Sequence, residues 1–238
     1  MEPRIQYTQT TDGVGIAFWT LGEGTILISM PPIPLSHVQM EWRDPEWRSW
    51  YERLAQKRKL IRYDGRGSGL SEREATDFSL DAQIRDLEAI VQHLGLQKFV
   101  LFAQFYAGPV AITYAVRHPE RVSHLLLWHT FARASDFSQS PQVRAILTLL
   151  EHDWELFTET FAHARRGWSE GEQARRFAAF VRESVTPEGL RTALGTLQEY
   201  DVTDLLPQVK APTLVLHRRE FAATHVSRFQ CCLRDSSR

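Results

Sequence analysis

The chain has 238 residues, 28 basic and 29 acidic side chains, and a formal net charge of -1. Hydrophobic residues make up 43% and charged residues 24%, globular proportions that exclude a disordered chain. The charge balance excludes a nucleic-acid partner held by bulk charge. No apolar run approaches the ~18 residues of a membrane span, so no membrane partner is expected. A chain of this length buries on the order of 70% of its unfolded surface and is expected to form one large domain. The N-terminal stretch MEPRIQYTQT lacks the apolar segment of a secretory signal. The two cysteines, Cys231 and Cys232, are adjacent, which is neither a disulfide framework nor a metal-binding spacing. The expectation is a cytoplasmic protein with no metal and no cofactor.

Residues 4–10 and 14–20 read as two strands joined through Asp12-Gly13, a favoured turn pair. Residues 25–30 form a short apolar run that reads as a buried strand, stopped by Pro31, Pro32 and Pro34. The tryptophan-rich stretch 41–57 is expected to be helical in its second half. A strand at 59–63 leads into a loop containing Gly65, Gly67 and Gly69. Leu80, Ile84, Leu87, Val91 and Leu94 recur at helical spacing, with Ser79 as N-cap and Gly95 as the stop. Residues 98–103 read as a buried strand. They precede a helix at 107–117 in which Ala107, Gly108, Ala111 and Ala115 allow close packing. A strand at 121–128, four helical patterns within 141–200 and a last strand at 212–217 complete the series.

Strands and helices alternate, give way to an all-helical block and then resume. This is the pattern of an α/β protein with a mostly parallel sheet, helices on both faces and a helical cap insertion. The divisions expected are a first core part at 1–133, a helical cap at 134–205, the core's seventh strand at 206–220 and an atypical tail at 221–238.

Three stretches, RYDGRGSGLSE (62–72), FVLFAQFYAGPVAITYAVRHPERV (99–122) and APTLVLH (211–217), resemble the α/β-hydrolase fold superfamily in order and spacing. The resemblance covers about residues 4 to 217. It implies an eight-stranded sheet with a cap inserted after the sixth strand. More narrowly, MPPIPLSHVQMEW and RYDGRGSGLSE resemble hydrolase-like domains fused to bacterial nucleotide cyclases or helix-turn-helix regulators. That implies a fused signalling domain in a longer relative.

The resemblance also implies a catalytic set, and each part can be sought in turn. The nucleophile sits on a sharp strand-to-helix turn, commonly Gly-x-Ser-x-Gly. Here the aligned stretch is Ala103-Gln104-Phe105-Tyr106-Ala107-Gly108. Phe105 has no lone pair to attack a carbonyl, and a shifted alignment offers only Gln104 or Tyr106. A literal Gly-x-Ser-x-Gly at 167–171 follows a helical pattern instead of a strand. It reads as a loop in which Ser169 caps the next helix and Glu172 completes a capping box. The oxyanion donor after the third strand aligns with Pro31 or Pro32, neither of which has an N–H. Glu220 is the candidate acid, or else a surface glutamate. The family's histidine follows an eighth strand. His225, five residues beyond Glu220, is too close for a strand to intervene.

His129, at the end of the sixth strand, reads as a packing or capping group or as a pocket residue, and His118 as part of a helix end. Asp64, Arg66, Gly67 and Gly69 are expected to brace the top of the sheet, with glycine allowing positive φ. Trp42, Trp47 and Trp50 read as core and cap packing, or as the lining of an apolar pocket. Arg165-Arg166 and Arg175-Arg176 read as solvated helix faces. The residues after Glu220 lose the strand–helix pattern. The expectation is a shifted reading frame and a core lacking its last strand and helix, or else a genuine short form.

Three functions are therefore expected as alternatives. One is a catalytically degenerate domain that binds or senses a small apolar ligand around Pro31, Pro32, Gln104, Phe105, Tyr106 and His129. The second is a hydrolase of ester-like small molecules. The third is a truncated fragment without function.

Overall fold

The computed structural model describes residues 2–138 and 141–217. Seven strands form one sheet: β1 (Gln6–Gln9), β2 (Gly15–Leu21), β3 (Thr25–Ser29), β4 (Arg58–Tyr63), β5 (Phe99–Gln104), β6 (Val122–Trp128) and β7 (Thr213–Leu216). Their order is β1-β2-β4-β3-β5-β6-β7. β1 and β2 pair antiparallel, as do β2 and β4; every other pair is parallel. The mostly parallel α/β class expected from the alternating pattern is the class observed. Because β4 and β5 lie on opposite sides of β3, the chain reverses its winding there. In open parallel sheets such a reversal opens a crevice at the strands' carboxyl ends, where ligands bind.

Period-two alternation explains how the central strands are buried on both faces. Ile28, Ile61 and Leu101 join the large core beneath α3 (Leu80–His93) and α4 (Ala107–Arg117). Their neighbours Leu27, Leu60 and Phe102 point the other way, to a second core with Trp19, Trp42 and Tyr51. Ser79 caps α3, its Oγ accepting from Ala82 N at 3.3 Å, and Gly95 follows the helix at φ +62°.

The tryptophan-rich stretch departs from expectation, since it is helical in both halves. α1 (Val38–Arg43) precedes α2 (Pro45–Ala55), and the break lies at Asp44. A residue before proline avoids helical geometry, while proline suits a first helical position. Asp44 therefore turns extended, and its carboxylate accepts from Glu46 N and Trp47 N at 2.9 and 3.2 Å.

Two buried polar clusters fix the loops above β4. Arg62 donates from Nε and Nη2 to the two carboxylate oxygens of Glu41 at 2.8 and 2.6 Å, and Tyr51 donates to Glu41 at 2.6 Å. Asp64 accepts from Val38 N at 2.9 Å and from Leu70 N at 2.8 Å. Gly69 faces that carboxylate so closely that a Cβ would stand 2.2 Å from Asp64 Oδ2. Arg66 pairs with Asp12 and Asp86. The bracing expected of this loop is what the contacts show.

Between β6 and β7 the chain is helical: α5 (Ser135–Ser138), α6 (Pro141–His152), α7 (Trp154–Arg166), α8 (Gly171–Ser184) and α9 (Pro187–Leu197), then a 3-10 turn at Thr203–Gln208. A third apolar cluster, with Phe157, Phe177, Phe180 and Val181, holds this block together, and Leu35, Met40 and Trp47 pack against it. Among the described residues, no helix is long and apolar enough to cross a membrane.

Candidate functional site at the carboxyl ends of the parallel strands

β5 passes into α4 through Phe105 and Tyr106. Phe105 has φ +52°, the left-handed conformation of a sharp strand-to-helix turn. Thr130 Oγ1 donates to Phe105 O at 2.5 Å, and Gly108 N donates to the same oxygen at 3.1 Å. Gly108 is required by that approach, since a Cβ there would stand 1.7 Å from Thr130 Oγ1. The turn is therefore built as a nucleophile turn is built, with a phenyl ring at its apex. Gln104 ends β5 opposite Trp128. Tyr106 packs edge-on against Phe131 at 4.9 Å, and burial pushes its hydroxyl up to about 12.

On the neighbouring strand, Met30 N donates to Phe102 O at 2.9 Å, which brings the end of β3 beside β5. Pro31 and Pro32 follow, and their carbonyls accept from Ile33 N and Leu35 N. They turn the chain and contribute no N–H toward β5.

His129 follows β6 at φ +49° and is buried. Its ring lies nearly parallel to that of Phe105, 13° apart in tilt and 6.4 Å between centres. Its N–H donates to Leu216 O at 2.9 Å. The pairing of Trp128 with Leu216 then sets His217 beside it, edge-on at 5.8 Å. Burial lowers the His217 imidazole below its ordinary range.

The cap contributes Arg165 of α7. Its guanidinium carbon stands 4.3 Å from the centre of the Phe105 ring and 5.4 Å from that of Phe177. The reading of Arg165-Arg166 as a solvated face is corrected here, because both side chains are partly buried. Arg166 lies 5.2 Å from the Phe177 ring and 3.7 Å from Glu46. The row Phe157, Phe161, Arg165 advances by four residues, so Arg165 continues the helix's aromatic face. Arg175 and Arg176 are exposed as expected, and Arg176 pairs with Glu172.

The other candidates fall elsewhere. Residues 167–171 connect α7 to α8 with no strand before them, so the literal motif is a loop. Ser169 does not cap α8. The cap position is Glu170, with no side-chain hydrogen bond, because the helix begins one residue too late for Ser169. Trp42 is core, meeting Trp19 edge-on at 5.9 Å, while Trp47 meets Phe180 of the cap at 4.7 Å. Trp50 is 42% exposed and lies beside Trp128. His118 ends α4 and packs on Tyr114. Glu220, His225, Cys231 and Cys232 lie outside the described residues. Among the described residues, no group of three or more His, Cys, Asp or Glu is placed to hold a metal ion.

Arg165 and His217 are the site groups that the sequence reading missed. The four-residue row on α7 and a count along the parallel strands from His129 would have found them. Together these residues present an aromatic surface, one cation and two imidazoles. At the apex of the turn, Phe105 presents no attacking group.

Comparison with known proteins agrees with this fold. The family model for the alpha/beta hydrolase fold matches residues 36–215. The chain is 29% identical over 192 residues to the proline iminopeptidase of Lactobacillus helveticus, covering 69% of this chain and 65% of that one. It is 28% identical over 188 residues to the pimeloyl-acyl-carrier-protein methyl ester esterase of Nitrosomonas europaea, covering 75% and 73%. The chain thus spans about two thirds of the iminopeptidase's length. Among solved structures, an esterase of Thermogutta terrifontis aligns with a TM-score of 0.77 at 25% identity, covering 97% of this chain and 86% of that one. An esterase of Exiguobacterium antarcticum aligns at 0.81 and 19% identity, covering 98% and 87%.

Proposed function

The chain belongs to the α/β-hydrolase fold family, and from that membership we propose that it keeps the family's site for binding and has lost its serine chemistry. One observation carries the reading: the left-handed strand-to-helix turn is intact, and its apex is Phe105. Phenylalanine can neither attack a carbonyl nor be activated by a base. The prolines after β3 support the same reading, because a backbone donor to a developing oxyanion is missing there. Loss of one such donor costs about 10²- to 10³-fold in rate. The protein is then a cytoplasmic domain that binds a small molecule between cap and sheet top. The resemblance of MPPIPLSHVQMEW and RYDGRGSGLSE to hydrolase-like domains fused to nucleotide cyclases or helix-turn-helix regulators supports sensing as the purpose of that binding.

Thermal unfolding of the chain with a panel of small acids, amides and esters tests the proposal. A saturable rise in the midpoint with at least one compound is expected, as mass action requires of a ligand that binds the folded state. No shift from any compound contradicts it.

A second reading is a hydrolase of ester-like small molecules. It is favoured by the esterase and peptidase names of the relatives and by the imidazoles at 129 and 217. It requires a nucleophile other than residue 105, and ester turnover decides it.

A further inference from the structure

We propose that the site takes a small monocarboxylate bearing an apolar group, with the carboxylate seated on the guanidinium of Arg165. This inference rests on the binding reading above and names its ligand class.

A guanidinium carries five N–H donors in one plane and an aromatic-stacking face on either side. In Arg165 the guanidinium carbon stands over the ring of Phe105, 4.3 Å from its centre. A ring face offers the cation electrostatic attraction and no conventional hydrogen-bond acceptor. Among the described residues, none accepts a hydrogen bond from Arg165 and none forms an ion pair with it.

The chain's other buried guanidiniums are treated differently. Arg62 is held by Glu41, and Arg66 by Asp12 and Asp86. A partly buried cation without a protein acid is a cost to the fold unless something answers the charge. Burial, with the repulsion of Arg166, pulls Arg165 down to about 10, so it stays protonated at neutral pH.

The charge count sets the valence. Arg166 is already opposed by Glu46 at 3.7 Å, which leaves Arg165 as the one unopposed guanidinium at the site among the described residues. One guanidinium matches one carboxylate in a two-pronged pair and does not balance a phosphate dianion. The surroundings set the rest of the ligand. The rings of Phe105 and Phe177 lie against the cation, and His129 lies beside Phe105, an aromatic surface suited to an apolar body.

Isothermal titration of the 238-residue chain with phenylacetate and hexanoate, each against its neutral amide, tests the inference. The acids are expected to bind at least tenfold more tightly than the amides. This comparison uses the unaltered chain and needs no variant to fold. Arg165→Met is expected to weaken phenylacetate at least tenfold with its unfolding midpoint retained. Arg165→Lys is expected to fall between the two, since the charge remains and the planar fork is lost. Equal binding of acids and amides, or unchanged affinity in Arg165→Met, overturns the carboxylate assignment and leaves the binding reading standing. Binding of none of the four overturns the assignment, and the wider thermal panel then decides the binding reading separately.

Discussion

Phe105 and His129 are the two non-glycine residues at positive φ among the described residues, and they stand next to each other. They directly follow neighbouring parallel strands, at +52° and +49°, with their rings 13° from parallel. A left-handed residue with a side chain costs about 1–2 kcal/mol. Such strain gathers at functional sites, where surrounding contacts enforce it. Here the enforcing contacts are the Thr130 hydroxyl on Phe105 O and the backbone bond from His129 to Leu216. A left-handed strand-to-helix turn is thus held around a residue that cannot attack a carbonyl.

Restoring serine alone is therefore expected to fail. Phe105→Ser should turn over p-nitrophenyl butyrate at least ~10²-fold more slowly than an ordinary enzyme, because Pro31 and Pro32 supply no N–H to the oxyanion. Turnover approaching ~10 per second, ordinary for an enzyme, would show that a donor exists elsewhere. The variant also loses the ring beneath Arg165.

Gly108→Ala should lose about 1–3 kcal/mol of stability in urea unfolding, the usual range for overpacking. The added Cβ would lie 1.7 Å from Thr130 Oγ1, so either the helix start or Thr130 must move. Either shift disturbs the hydroxyl bond to Phe105. A neutral outcome would mean that the β5–α4 turn is looser than its contacts imply.

Glu41→Gln should lose about 3–5 kcal/mol, because it leaves Arg62 buried with its charge unanswered. Both Glu41 oxygens accept from Arg62, and Tyr51 adds a third bond. Urea unfolding measures the loss. A cost below ~1 kcal/mol would show that water reaches the cluster.

Asp64 gives stability a defined pH dependence. Burial, and then the charge of Glu41, push its carboxyl up to about 7. The folded state therefore holds a proton that the unfolded chain releases in the ordinary carboxylate range near pH 4. Stability from this group is present at low pH and falls as pH rises toward 7. His37 and His217, lowered mainly by burial, act in the opposite sense over part of that range. The comparison with Asp64→Asn isolates the carboxyl. The native chain's stability relative to that variant should fall between pH 4 and 7, by at most about 1.4 kcal/mol per pH unit. A flat difference would place the Asp64 titration outside this window.

The architecture was legible because it rests on local patterns. Leu27 and Ile28 alternate between two cores, and Leu80, Ile84 and Leu87 repeat at helical spacing. The Asp44-Pro45 break was missed because tryptophan spacing drew attention from a capping aspartate before proline. At the site, Phe105 and the prolines after β3 were readable, since they occupy positions that a known turn defines. Arg165 and His217 were not, because the contacts that matter cross from cap to sheet and from β6 to β7. Paired arginines on a helix look solvated until the ring opposite one of them is known.

The most direct measurement is intact-mass analysis of the purified chain after incubation with a fluorophosphonate, alongside p-nitrophenyl butyrate turnover. With Phe105 at the apex of the turn, the chain should keep its mass and turn over no ester above buffer. A stoichiometric phosphonyl adduct with matching ester turnover would contradict the loss of serine chemistry and restore the hydrolase reading.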